Sequence, residues 1–295
     1  MKLKTIKMGM KLLHFKADLR IEGIRSENIF SELTTSWYDY CLAKELYSKG
    51  AYCWSIEIAY YSALHALRAI MHTSIRLTEY FMNNRFKIPP RFRSHSAFVK
   101  LLIKCDSLTE RDEEELIIID VMELLGLGTQ FLKTLGKILE AMKKAREIHV
   151  YQHLIVAHQI RVIPMEPISS LMIKAAFKII VECTNAIVYN FLIKMTDKVL
   201  KYCYSMHFID EIKQFKKLLV LEHIEPAKEL IDYMNQVNNE VNTRIRELLA
   251  KLSVKEELNT IYQTFNSLHK PTTHFSIVLR EIIGNITHEL NRSLN

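Results

Sequence analysis

Apolar residues along most of this chain recur at the spacing of an α-helix rather than of a strand. The clearest case is residues 51–72, which we predict to form one helix. Its apolar face consists of Cys53, Ile56, Tyr60, Leu64, Leu67 and Met71. Beside that face, at spacings of four, three and four residues, runs a polar stripe of Tyr61, His65, Arg68 and His72. An ordinary core helix rarely carries this mixture, so the stripe is a candidate contact surface. The alternative is a set of hydrogen-bonded residues between helices.

The same periodicity predicts further helices on both sides of this one. The first covers residues 26–47 and ends before Gly50, which suits a left-handed helix cap. After Pro89-Pro90, another helix starts near Ser94. A capping box at Ser107-Leu108-Thr109-Glu110 and the acidic run that follows it begin the next helix. The remaining predicted helices cover residues 134–158, 168–204, 208–220, 225–253, 255–268 and 274–292.

Composition supports an all-α fold for the 295 residues, because 7 Gly and 6 Pro leave little room for the turns of a sheet protein. We predict a basic N-terminal segment at 1–27, an antiparallel helical bundle at 28–163 and a second helical domain at 164–295. Residues 175–192 faintly resemble residues 51–70 in texture, so the second domain is either a degenerate second bundle or an unrelated helical unit.

Most of the net positive charge lies at the N-terminus. The net charge is +7, and residues 1–25 contribute seven basic side chains against two acidic ones. A phosphate-contacting arm is one interpretation, and a solvated first helix is the other. The candidate contacts in such an arm are Lys2, Lys4, Lys7 and Lys11.

No secretion signal and no window of 18 uncharged apolar residues is present, so we expect a cytoplasmic protein with no membrane partner. The five cysteines are scattered without a Cys-x-x-Cys pair, which argues against a disulfide framework and a zinc site. Glycine-rich phosphate loops and His-Glu-x-x-His helices are also missing from the sequence. We therefore expect neither a metal nor a cofactor.

The helix at residues 51–72 contains Ala59-Tyr60-Tyr61 and His65-Ala66-Leu67-Arg68-Ala69. This pattern resembles the central helix of HEPN domains, which are small helical bundles often found as nucleic-acid-cutting or partner-binding modules. The resemblance covers about residues 28–160 and includes two further segments. The start of the third helix in one large HEPN branch resembles Arg93-Ser94-His95-Ser96-Ala97-Phe98. The closing segment of that branch resembles Leu135-Gly136-Lys137-Ile138-Leu139 and Arg146-Glu147-Ile148-His149-Val150-Tyr151.

This resemblance implies a catalytic pair, since HEPN ribonucleases use an arginine followed after four to six residues by a histidine. Arg146 and His153 have that spacing. On a helix, His149 would share their face, about 10 Å of rise separating the first residue from the last. A histidine can take the proton of a 2′-hydroxyl while an arginine holds the phosphate, and by resemblance two protomers form one composite site. The alternative is an amphipathic helix end with partly exposed histidines.

Two functions from different classes follow. The first is a metal-independent endoribonuclease of the toxin–antitoxin or host-defence kind, which acts on RNA as a homodimer. The second is a non-catalytic HEPN-like module that recognises a partner protein, a nucleotide or a nucleic acid and uses its C-terminal half for assembly. In both, the polar stripe would contact RNA or a partner protomer. Within the C-terminal half, the seven-residue apolar rhythm of residues 225–253 suits either a coiled coil or packing within one bundle.

Overall fold

The computed structural model of the protein describes residues 2–110, 112–155 and 164–251. Side chains are described from residue 20 to residue 248, apart from 111, 148–163 and 199. The helices predicted at 255–268 and 274–292 lie outside the described residues.

All regular elements of the described residues are helical, which confirms the predicted all-α class. The α-helices are α1 (Lys2–Ser48), α2 (Tyr52–Met71), α3 (Ile75–Asn83), α4 (Pro90–Arg93), α5 (His95–Ile103), α6 (Glu113–Leu125), α7 (Thr129–Ile155), α8 (Met165–Asn185), α9 (Lys198–Leu221) and α10 (Lys228–Lys251). A 3₁₀ turn (Cys105–Ser107) follows α5, and a π-helix (Ala186–Leu192) continues α8.

Helices α1 and α2 form the most extensive interhelical contact among the described helices. A tight turn joins them, with Gly50 at φ 75° in the left-handed region that glycine tolerates. Midway along the pair, Ser36 Oγ donates to the Ser62 carbonyl at 2.7 Å and Ser62 Oγ donates to the Ser36 carbonyl at 2.8 Å. Small side chains at this crossing let the two backbones approach closely.

The predicted start of the first helix near Ser26 is wrong, because α1 begins at Lys2. Between these two positions the chain contains no proline to end a helix. Glu22, Arg25 and Ser26 are all buried, so the N-terminal extension of α1 packs against other helices at this level. The basic segment is therefore helical in the described backbone.

Two of the predicted helix starts in the middle of the chain have different outcomes. The start of α5 is as predicted, with the Ser94 hydroxyl accepting a hydrogen bond from the Ala97 amide. The predicted capping box at Ser107 to Glu110 is wrong. Leu108 is extended, and α6 is instead capped by Asp112, whose carboxylate accepts from the Glu114 amide at 2.9 Å. The acidic residues after Asp112 do fill the first turn of α6, as expected.

Helix α7 crosses α5 very closely at Gly136. A Cβ atom at this position would lie 2.8 Å from the Leu102 Cβ and 3.2 Å from the Ile103 amide nitrogen. Such distances are too short for any side chain, so glycine allows the two helices to touch at this point. Gly136 therefore sets how closely α7 approaches α5.

The predicted single helix at residues 168–204 is wrong. Helix α8 ends at Asn185, widens into the π-helix and stops before a break at residues 193–197. Helix α9 then starts with Asp197 accepting from the Leu200 amide at 3.0 Å. Lys201 Nζ donates to the Ile193 carbonyl across the break, and this bond satisfies a carbonyl that the interrupted helix leaves open.

Helices on both sides of residue 164 contribute to one core. Helix α8 packs along α2, where Ser169 Oγ donates to Ser55 Oγ at 2.8 Å. Trp37 of α1 contacts Phe208 and Phe215 of α9, at ring-centroid distances of 6.1 and 5.7 Å. The division at residue 164 stays a prediction of domain boundaries, and the packing shows a core shared across it.

Candidate functional site

Arg146 of α7 reaches across to α2. Its Nε donates to Glu57 Oε1 at 3.1 Å, and its Cζ lies 5.3 Å and 5.2 Å from the ring centroids of Tyr60 and Tyr61. This arrangement combines an ion pair with two cation–π contacts. The side chains of Arg146 and Glu57 both retain 22% of their exposure, so this ion pair is partly open to solvent.

His95, the first residue of α5, joins this group. Its ring centroid lies 5.6 Å from that of Tyr60 and 5.6 Å from that of Tyr61. Burial lowers the pKa of His95 below its usual value, and the charges of Arg68 and Arg146 lower it further. The imidazole is therefore neutral at neutral pH and has a free lone pair, which is the state a proton acceptor needs.

His95 was missed among the sequence-predicted site residues. It lies inside the second segment that resembles HEPN domains, so the signal was present in the sequence. Glu57 was also missed. It is separated from Arg146 by 89 positions, and no local pattern connects the two.

The polar stripe of α2 is uneven in exposure. Tyr61, His65 and Arg68 are half-buried, whereas His72 is 5% exposed. His65 Nδ1 bonds Glu32 Oε2 at 2.6 Å. Burial opposes ionisation of Glu32, but the bond with His65 and the positive charges around it outweigh burial and hold its pKa below the usual range. Arg68 donates from Nη2 to the Phe92 carbonyl at 3.2 Å, which ties α2 to α4.

His72 differs from the rest of the stripe because it faces the interior. Burial lowers its pKa to about 4, so the ring is neutral at neutral pH. Its Nδ1 is buried with no hydrogen-bond partner among the described residues, and the same holds for Arg68 Nε and the Tyr60 hydroxyl. Burial also raises the pKa of Tyr60 to about 12. The polar stripe is therefore buried at its His72 end, whereas at its other end Tyr61 contacts Arg146.

The remaining predicted site residues are placed by their backbone alone. His149 and His153 lie on α7, about one and two turns after Arg146, and their side chains lie outside the described residues. The same is true of the lysines in the first turns of α1, which are Lys2, Lys4, Lys7 and Lys11.

A second group, formed by Ser26, His207 and Glu211, has the residue types of a catalytic triad but is closed to substrates. Ser26 Oγ lies 2.7 Å from His207 Nδ1, and His207 Nε2 lies 3.5 Å from Glu211 Oε1. Ser26 and His207 are 0% and 1% exposed, so no substrate can reach the serine. This Ser–His–Glu group ties α1 to α9 and stabilises the core. The residues are far apart in sequence, which is why sequence patterns did not reveal them.

Within residues 2–110, 112–155 and 164–251, no group of three or more His, Cys, Asp or Glu side chains could hold a metal ion. None of the helices in these ranges is both long and apolar enough to cross a membrane. Compared with known proteins, the chain matches no family model, no curated protein and no solved structure.

Proposed function

We propose that this protein is a metal-independent endoribonuclease of the HEPN kind, which acts on RNA as a homodimer in a toxin–antitoxin or host-defence role. One observation carries the proposal. The three segments that resemble HEPN domains are far apart in sequence, and their polar residues Tyr61, His95 and Arg146 meet at a single place. A helical bundle held together by apolar contacts alone has no need of that convergence.

The chemistry available there suits cleavage of a phosphodiester by its own 2′-hydroxyl. Arg146 uses Nε for Glu57, while its two terminal nitrogens donate to no described residue, so they can hold a phosphate. A neutral histidine would take the 2′-hydroxyl proton as that oxygen attacks phosphorus. The bond to the 5′-oxygen breaks, and a protonated histidine returns a proton to that leaving group. We assign the two proton transfers to His153 and His149, with His95 beside the phosphate.

A non-catalytic binding module is the second candidate, and one observation favours it. Glu57 already meets the charge of Arg146 at 3.1 Å, as expected for an arginine whose role is to tie α7 to α2. In that case a partner protein, a nucleotide or a nucleic acid would bind the outer face of the cluster without being cut.

Incubation of the purified protein with mixed RNA in the presence of a chelator separates the two candidates. The ribonuclease proposal predicts cleavage by the wild type and loss of at least about 100-fold in rate for Arg146→Ala and for His153→Ala. Arg244→Ala is the matched control, because Arg244 forms ion pairs with Glu240 and Glu247 at the surface, far along the chain on α10. Cleavage that survives both substitutions excludes the site. If the wild type binds RNA and leaves it intact, the protein is a binding module.

A further inference from the structure

The loop between α3 and α4, residues 84–88, holds two bulky residues in a costly conformation. Arg85 has φ 54° and Phe86 has φ 62°, in the left-handed region that favours glycine. For a residue as large as phenylalanine this is a clear outlier. Backbone strain of this sort concentrates at binding and catalytic sites, because selection for stability alone removes it. We call residues 84–88 the Phe86 loop.

Ending a helix explains Arg85 but not Phe86. The Phe86 amide donates to the Phe81 carbonyl at 2.8 Å, so a single left-handed residue, Arg85, closes the end of α3. Helix α9 ends in the same way, with His223 at φ 54° and the Ile224 amide donating to the Leu219 carbonyl at 2.9 Å. There, one left-handed residue is enough. The left-handed Phe86 is additional. Together with Arg85 it forms a tight turn, which the Lys87 amide closes by donating to the Asn84 carbonyl at 3.2 Å. Glycine, asparagine and aspartate are the usual residues at the two central positions of such a turn.

The Phe86 ring is presented to solvent. It is 59% exposed, which is unusual for phenylalanine, and its ring centroid lies 5.3 Å from that of Phe81 in an edge-on contact. Phe81 therefore holds the Phe86 ring in place and leaves most of it open. An ordered aromatic face of this kind can stack on a nucleic-acid base of any identity.

The sequence around the loop is rich in positive charge. Residues 80–105 contain six Lys and Arg and no Asp or Glu, although the net charge of the whole chain is +7. Arg91 is neutralised by Asp112, Glu114 and Glu115 of α6. The other five are exposed and form no ion pair with a described residue, and two of them, Arg85 and Lys87, flank the exposed ring. Aromatic rings between unpaired cations are typical of grooves that bind single-stranded nucleic acids.

The same stretch of chain leads to the group formed by Arg146, Glu57, Tyr60, Tyr61 and His95, which we call the Arg146 cluster. From Lys87 the chain passes through α4, where the Phe92 carbonyl accepts from Arg68, and reaches His95 at the start of α5. Phe86 and His95 are therefore nine positions apart in sequence, and the chain between them is tied to α2 through the Phe92 carbonyl.

We propose that the Phe86 loop binds single-stranded RNA, with a base stacked on the Phe86 ring and the neighbouring phosphates held by Arg85 and Lys87. The choice of RNA rests on the proposed function. The stacking and the preference for a single strand rest on the loop itself, because bases within a duplex present no free face.

Fluorescence anisotropy with a labelled 2′-O-methyl oligonucleotide of about 12 nucleotides tests the proposal, since the length suits one such site. This probe lacks the attacking hydroxyl, so binding is read whether or not the protein cuts RNA. Phe86→Ala should weaken binding at least about 5-fold, the lower end of the effect of losing one stacked base. Phe86→Trp should restore it. Val220→Ala is the matched control, because Val220 is 74% exposed and lies on α9 near its own left-handed turn.

Phe86→Gly separates stacking from a structural role. Glycine relieves the positive φ, so this variant should weaken RNA binding like Phe86→Ala and keep the wild-type melting temperature. The annealed duplex of the same sequence should bind equally to wild type and Phe86→Ala. Unchanged affinity of Phe86→Ala for the single strand overturns the proposal. So does an equal loss for single strand and duplex, or the absence of binding by the wild type. If the wild type leaves RNA intact in the cleavage assay while Phe86→Ala still weakens binding of the probe, the ribonuclease proposal fails and the Phe86 loop stands.

Discussion

Arg25 and Arg146 make the same kinds of interaction but differ in how exposed they are. Each pairs with a glutamate and lies over an aromatic ring: Arg25 with Glu22 at 3.2 Å and Phe191 at 4.7 Å, Arg146 with Glu57 at 3.1 Å and Tyr61 at 5.2 Å. Their side chains retain 8% and 22% of their exposure, respectively. Since the interactions are alike, the difference in access separates a structural arginine from one that can bind a ligand.

The neighbours of Arg25 show how a buried arginine becomes structural. Its Nη1 bonds both carboxylate oxygens of Glu22, its Nη2 donates to the Thr73 carbonyl, and the Tyr204 hydroxyl donates to Glu22 at 2.6 Å. Burial, followed by the negative Glu22, raises the pKa of Tyr204 well above its usual value, so Tyr204 remains a donor. These bonds join α1, the end of α2 and α9. Arg146 makes one hydrogen bond with the described residues, and that bond joins only α7 and α2.

The largest stability effect should come from Arg25→Ala. Removal of Arg25 from this buried ion pair leaves the charge of Glu22 without its cation, with only the Tyr204 hydroxyl donating to it, so the free energy of unfolding should fall by about 3–5 kcal/mol. Urea denaturation followed by circular dichroism measures the loss. The double variant Arg25→Ala/Glu22→Gln should recover part of it, because the glutamine carries no charge. A loss below about 1 kcal/mol would mean that Arg25 is solvated like Arg146.

The next effect concerns pH, through the buried His72 beside Thr73. The pKa of His72 is lowered from 6.5 to about 4 on folding, so the unfolded chain binds this proton more readily. Stability from this group is complete above about pH 6.5 and is lost as the pH falls toward 4, up to about 3 kcal/mol. Asp39 acts in the opposite direction, since burial raises its pKa to about 6.

Comparison with His72→Gln isolates the histidine contribution. Between pH 7 and 5, wild type should lose more stability than the variant, although the variant is less stable overall. If the free energy of unfolding changes equally with pH in the two proteins, His72 is solvated. The contrast between the buried His72 end and the partly exposed Tyr61 end of the polar stripe would then be wrong.

The smallest effect on stability is expected at the partly exposed ion pair of Arg146 and Glu57. A double-mutant cycle with Arg146→Ala and Glu57→Ala should give a coupling energy of about 0.2–1 kcal/mol, as for other partly exposed ion pairs. The Arg25–Glu22 pair, measured in the same way, should couple more strongly. Similar coupling energies at the two pairs would remove the distinction between them.

Helix positions were predictable where a local signal marks them. Ser94 before α5 and Gly50 after α1 are capping residues, and their effect depends only on neighbouring backbone atoms. The extension of α1 to Lys2 and the π-helix after α8 were not predictable in this way. The burial of Glu22 and Arg25 in α1 comes from contacts with distant helices, and the π-helix packs against α6, so neither has a local signal in the sequence.

The candidate site was predictable in part for a related reason. The sequence indicates Tyr61 and Arg146 separately. Tyr61 belongs to the polar stripe of one helix, and Arg146 follows from the resemblance to HEPN domains. Their meeting is a tertiary event between positions 85 residues apart, as is the Glu57 ion pair. The burial of His72 could not be predicted from the sequence either. Helical periodicity shows which residues share a face, but it does not show which other helices pack over that face.

Arg146→Ala, assayed for stability and RNA cleavage on one preparation, tests most directly the claim that Arg146 is a functional arginine. We predict that the free energy of unfolding falls by no more than about 1 kcal/mol, as for a partly exposed ion pair, while cleavage in chelator falls at least about 100-fold. A stability loss as large as that of Arg25→Ala, or cleavage equal to that of wild type, would contradict the account.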